Sequence, residues 1–173
     1  MIILITGSTH TGKTKLAQRF LEKYRFPYLS IDHLKMGLIR SGYTNLTVED
    51  DEALTEYLWP IVREMVKTAI ENSQNLIVEG CYIPFDWQKD FDERYLKSIR
   101  FICLDMTDAY IEEHFEDILM HGSDIERRLD DSYCRVEVLK RENRYYIEGC
   151  KKYDLQIALI NDDYDAEINK LMD

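Results

Sequence analysis

Gly7-Ser8-Thr9-His10-Thr11-Gly12-Lys13-Thr14 has the spacing Gly-x-x-x-x-Gly-Lys-Thr, directly after the apolar run Ile2-Ile3-Leu4-Ile5 and before a helix-length amphipathic stretch. A strand entering such a segment and a helix leaving it must turn around a hollow of phosphate size. Gly7 and Gly12 admit backbone conformations that turn amide N–H groups inward, the helix opening near Lys13 adds its partial positive end, and the Lys13 ammonium reaches terminal phosphates. Ser8, Thr9, His10 and Thr11 supply the amides between, and Thr14 stands where a hydroxyl ligates magnesium. A glycine turn that binds nothing has no use for both Lys13 and Thr14. The segment therefore predicts a site for a nucleoside triphosphate, taken as ATP with Mg2+. The His10 ring is expected to face solvent.

The rest of the chain has the layout such a segment requires. Apolar runs too short for helices, at Ile2 to Thr6, Tyr28 to Ile31, Leu76 to Val78, Ile99 to Leu104 and Leu155 to Ile160, read as parallel strands. Helix-length stretches lie between and after them, at Lys13 to Tyr24, Asp32 to Arg40, Asp50 to Asn72, Asp108 to His121, Ser132 to Lys152 and Asp165 to Met172. Thr47 and Asp50 have the spacing of a helix-capping pair, and Pro60 marks a possible kink. This alternation predicts an α/β three-layer sandwich around a parallel sheet. No linker, repeat or low-complexity stretch divides the chain, so residues 1–173 are read as one domain.

Charge restricts the partners. With 33 acidic against 22 basic side chains and a formal charge of -11, most of the surface repels a phosphate backbone, which argues against nucleic acid. The apolar start is too short to span a bilayer and lacks a basic leader, so a cytoplasmic protein without a membrane partner is expected. Cys81, Cys103, Cys134 and Cys150 are too widely spaced for a metal knuckle and read as reduced thiols, with Cys81 beside the candidate site.

The Gly7 to Thr14 segment in this layout resembles the small P-loop kinases of the nucleoside-monophosphate-kinase type, among them shikimate and gluconate kinases, chloramphenicol phosphotransferase and zeta toxins. Within that group it is similar to the bacterial proteins labelled 2-phosphoglycerate-kinase-like. The resemblance implies a five-stranded sheet ordered 2-3-1-4-5 and phosphoryl transfer from ATP to a small-molecule acceptor. It also implies three further site elements. Asp32, after the second apolar run, would orient the attacking hydroxyl or take its proton, or else merely cap its helix. Glu79, in Leu76-Ile77-Val78-Glu79-Gly80, would contact magnesium or the acceptor, with Gly80 letting ligand approach the backbone. A short lid over residues 121–132 would bring Arg127 or Arg128, with Arg135 a third candidate, onto the transferred phosphoryl group.

For the acceptor, His33, Lys35 and Arg40 are placed to offer positive charge, or else form the wet face of a helix. Tyr57, Trp59, Tyr82, Phe85 and Trp87 read as core or as pocket wall, and Asn161-Asp162-Asp163 as a loop beside the base. A monophosphate acceptor is already ionised and needs no base, so an acid at Asp32 suits a hydroxyl acceptor better. The competing class is a nucleotide-dependent switch or non-catalytic ATP-binding module. A GTPase is disfavoured because Asn169-Lys170 continues as Leu171-Met172 and gives no Asn-Lys-x-Asp.

Overall fold

The computed structural model describes residues 1–122, 125 and 133–172. Its strands are β1 (Ile2–Thr6), β2 (Tyr28–Ser30), β3 (Leu76–Glu79), β4 (Ile99–Met106) and β5 (Ile157–Ile160). They form one parallel sheet in the order β2-β3-β1-β4-β5, as the resemblance implies. Every residue of β1 is buried, which explains its unbroken apolar run: a central strand covered on both faces has no polar side to present.

Period-2 alternation along β1 sorts the core. Ile2 and Leu4 join Val78 against Leu54, Leu58, Val62 and Val66 of helix α3 (Asp51–Glu71). Ile3 and Ile5 join Ile77, Ile102 and Leu104 against Leu16, Ala17 and Phe20 of α1 (Lys13–Tyr24). The remaining helices are α2 (Ile31–Arg40), α4 (Glu93–Leu96), α5 (Asp108–Glu113), α6 (Phe115–His121), α7 (Val136–Lys152) and α8 (Tyr164–Leu171).

Several boundaries differ from the sequence reading. β4 runs on through Asp105 and Met106, because their backbones pair with Leu159 and Ile160 and the buried Asp105 carboxylate is met by Ser8 N–H and Cys103 Sγ. The stretch from Asp108 divides at His114, whose φ of -113° leaves the helical range. At the start of α3 only the return half of the capping pair forms. Asp50 Oδ2 accepts from Thr47 N–H at 2.7 Å and from its hydroxyl at 2.9 Å, while the helix begins at Asp51, past Asp50 rather than past Thr47. α3 then continues through Pro60.

The segment between β3 and β4 holds structure that the sequence did not reveal. A 3-10 turn at Trp87–Asp90 precedes α4, which Asp92 caps through Arg94 N–H and Tyr95 N–H. Trp59, Trp87, Phe91 and Tyr95 are buried here in edge-to-face contacts, and Trp87 stacks on Phe101, so both tryptophans belong to the core.

Gly7 ends β1 with φ 135°, and a Cβ there would lie 2.0 Å from the Leu104 carbonyl oxygen of β4. That oxygen is sheet backbone and cannot step aside. Gly7→Ala is expected to cost at least about 3 kcal/mol, from left-handed strain plus the clash, read as a fall in the urea midpoint. A midpoint unchanged from the parent's would refute this account of the turn.

Candidate functional site

The parallel order brings the carboxyl ends of β1, β3 and β4 side by side, where open α/β sheets collect ligands. The loop from Gly7 leaves β1 at that edge, and Gly12 (φ 85°) turns left-handed to start α1. A Cβ on Gly12 would strike the Tyr164 hydroxyl at 1.9 Å, so Tyr164 closes the loop's far end. Lys13 folds its ammonium back over the loop, donating to the Ser8 carbonyl at 2.6 Å, and Thr11 Oγ1 donates to the same carbonyl at 2.8 Å. Ser8 N–H donates to Asp105 Oδ1 at 3.3 Å.

Glu79 ends β3 almost wholly buried, and Thr14 Oγ1 lies 3.4 Å from its Oε2. The hydroxyl and the carboxylate expected to serve a metal are thus brought together by the pairing of β3 with β1. Among the described residues no cluster of three or more His, Cys, Asp or Glu could hold a metal ion by itself. Mg2+ needs no such cage, since one or two carboxylates complete its octahedron with water and phosphate oxygens. Thr14 and Glu79 fit that requirement.

Asp32 is not the cap of its helix. The cap position belongs to Ser30, and Asp32 stands one residue inside α2 with its carboxylate free of cap bonds. Its Oδ1 accepts from Lys35 Nζ at 2.5 Å. Lys35 also donates to the Tyr82 hydroxyl at 2.9 Å, and that hydroxyl donates to Asp51 Oδ1 at 3.2 Å. Burial first, and the neighbouring Asp32 and Asp51 next, raise the Tyr82 phenol well above its ordinary pKa, so it stays protonated. Asp32, Lys35, Arg40, Glu79, Lys13 and Thr14 all open on one cleft of about 1960 Å³. Glu49, Asp51, Glu52 and Glu56 line the cleft together with Lys35 and Arg40, whereas His33 is exposed and does not line it.

One expectation is corrected. His10 does not face solvent: it is 8% exposed, with a left-handed backbone at φ 60°. Its Nδ1 lies 3.1 Å from Thr9 Oγ1 and 3.8 Å from Cys134 Sγ, and a Cβ on Gly122 would meet the ring at 2.8 Å. At Gly80, the glycine read as letting ligand approach the backbone, φ is 153° and a Cβ would lie 2.9 Å from the Ile31 Cβ, so packing alone already excludes a side chain there. Arg127 and Arg128, with most of the stretch read as a lid, lie outside the described residues, and Arg135 is exposed at the start of α7.

Other side chains of the site went unread in the sequence. Arg141, Tyr145 and Tyr146 of α7 line the cleft, and Phe85 packs on the last two and on Tyr153, its ring in the notch left by Gly149. Cys81 lines it too, with burial pushing its thiol pKa up, away from the reactive thiolate. Asp105 was legible in principle, as an acid at the end of a strand beside β1. In the loop after β5, Asp163 caps α8 by accepting from Ala166 N–H at 2.9 Å. No helix among the described residues is long and apolar enough to cross a membrane.

The whole fold is similar to those of several kinases of known structure. A deoxyadenosine kinase from M. mycoides superposes with a TM-score of 0.59 at 17% identity, covering 99% of this chain and 97% of that one. A shikimate kinase from Bacteroides thetaiotaomicron gives 0.54 at 16% identity, with 99% and 96% covered. No family profile and no curated protein matches the sequence. The chain has the fold these kinases share, and the resemblance read from Gly7 to Thr14 holds at that level.

Asp105 supplies a pH test. Burial raises its pKa from 3.8 to about 6, partly offset by the hydrogen bonds from Cys103 and Ser8. The folded state thus holds this proton more tightly than the unfolded chain does. The resulting stability is full below pH 3.8 and is lost as pH rises through about 6. Asp105→Asn keeps an acceptor for Ser8 N–H and removes the titration. Between pH 4 and 7.5 the parent should lose up to about 3 kcal/mol relative to this variant in urea unfolding. A pH-independent difference between the two would rule out the buried acid as the cause.

Proposed function

We propose that the chain transfers the terminal phosphoryl group of Mg-ATP to a hydroxyl of a small molecule. The observation that carries this reading is the convergence on one cleft of Lys13 over its loop, the Thr14–Glu79 pair 3.4 Å apart, and the Asp32 carboxylate on the facing helix. A fold in common with a deoxyadenosine kinase and a shikimate kinase supports it.

In this reading the inward amides of Gly7 to Thr14 and the Lys13 ammonium hold the phosphates, the ammonium exchanging the Ser8 carbonyl for phosphate oxygens. Thr14 and Glu79 hold Mg2+, which when bound neutralises charge on the phosphates. Asp32, its side chain 40% exposed toward the cleft, orients the acceptor hydroxyl and accepts its proton. Lys35 fixes the Asp32 carboxylate from one side and leaves its other oxygen for the acceptor. Lys35 and Arg40 contact the acceptor's polar groups along the same wall. Because Asp32 does not cap α2, its exchange for asparagine removes no capping bond.

ADP release with Mg-ATP should be measured against a panel of small hydroxyl and phosphate acceptors. One acceptor is expected to stimulate it, and Lys13→Ala to abolish the stimulated rate. Turnover that survives Lys13→Ala would sink the mechanism. Asp32→Asn should leave ATP affinity within about twofold while cutting turnover by roughly 10²–10⁴, the usual general-base contribution. ATP binding without stimulation by any acceptor would favour the nucleotide-dependent switch instead.

A further inference from the structure

Ser8 is the point where the elements of the site meet. It is wholly buried, its N–H is taken by Asp105 of β4, and its carbonyl by Lys13 and Thr11. Its hydroxyl is held from α7, accepting from Asn143 Nδ2 at 3.1 Å, with Glu142 Oε2 at 3.5 Å. Asn143 is 1% exposed. Its Nδ2 also donates to the Leu139 carbonyl at 2.7 Å, and its Oδ1 accepts from Met106 N–H at 2.8 Å. With nitrogen and oxygen engaged on opposite sides, the amide has one orientation.

Asparagine is a poor residue for a helix interior, and burying its amide is costly unless every group is met. Leucine at 143 would suit both the helix and the apolar face around Leu139. What the amide does that leucine cannot is bridge the end of β4 and the phosphate loop at once. No other α7 residue does this: Arg141 and Tyr145 open on the cleft, and Glu142 meets Ser8 only at the limit of hydrogen bonding.

We infer that Asn143 is a positioning residue of the phosphate loop. Tied to Met106 N–H, it sets where the Ser8 hydroxyl sits. Ser8 in turn sets the carbonyl on which Lys13 rests, and so the position from which the ammonium meets a phosphate. Asn143 touches no ligand itself. The inference rests on the nucleotide-binding part of the function proposed above, and needs neither the acceptor nor the transfer step.

The test is a double-mutant cycle on Ser8→Ala and Asn143→Leu, read as the Kd of a fluorescent ATP analogue with Mg2+ and, separately, as the urea midpoint. Each single variant is expected to weaken binding about five- to tenfold, the worth of one hydrogen bond. The double variant should bind no more weakly than the weaker single, since both changes cut the same link. Losses that multiply in the double variant, or a folded Asn143→Leu that binds within twofold of the parent, would overturn the inference and leave Asn143 a residue of stability alone. Should Asn143→Leu fail to fold, Ser8→Ala decides: binding within twofold of the parent overturns it. If the parent binds no ATP, the function and this inference fall together. If the parent binds ATP but no acceptor stimulates turnover, only the transfer step falls, and the cycle still decides on Asn143.

Discussion

The placement of β1 between β3 and β4 is the constraint on which the site depends. Parallel pairing on both sides aligns Ile5 with Glu79 and Thr6 with Cys103, so the loop leaving β1 has the Glu79 carboxylate on one flank and that of Asp105 on the other. Each acid meets a different part of the loop: Glu79 the hydroxyl of Thr14, Asp105 the amide of Ser8. The two are nevertheless unlike. One lines the cleft, where the proposed function gives it a cation to serve; the other is sealed in the sheet, where its charge is costly. The absence of side chains at Gly7 and Gly80 permits this crowding, since the Leu104 carbonyl and the Ile31 side chain occupy the space a Cβ would need.

What could be read from the sequence is what short-range pattern encodes. The loop itself and the strands that flank it were legible because Gly7, Gly12, Lys13 and Thr14 have a spacing with one structural solution, and because β1 is apolar throughout, whereas the sheet order came from the family resemblance. The convergence of Asp32 and Glu79 on the loop followed from their positions at strand ends. His10 was misjudged because its exposure depends on residues 122 and 134, which no local pattern connects to it. Asn143 was illegible for the same reason: on an amphipathic helix a polar residue facing the sheet cannot be told from one facing water until the helix is docked. The extension of β4 was missed because Asp105 looks like the end of a strand, and only its partners Ser8 and Cys103 make its burial tolerable.

The wall opposite the loop is a network rather than a set of independent charges. Asp32, Lys35, Tyr82 and Asp51 are joined in sequence by hydrogen bonds, so α2, α3 and the segment after β3 share one polar chain. In such chains the worth of each bond depends on the others. The Lys35 ammonium also lies 4.9 Å from the centre of the Tyr82 ring, which adds a cation–π contact to the same grouping. The chain runs from Asp32 in α2 to the exposed Asp51 in α3, with both ends lining the cleft.

The resting place of Lys13 has a consequence of its own. A free lysine side chain gives up roughly 2 kcal/mol of rotamer entropy when it is immobilised. Here the ammonium is already held on the Ser8 carbonyl, and the side chain is 8% exposed, so that loss falls on folding and not on the encounter with ligand. In the proposed function, a phosphate oxygen that takes the place of the Ser8 carbonyl meets an ammonium already held at the loop, and binding is spared that share of the entropy.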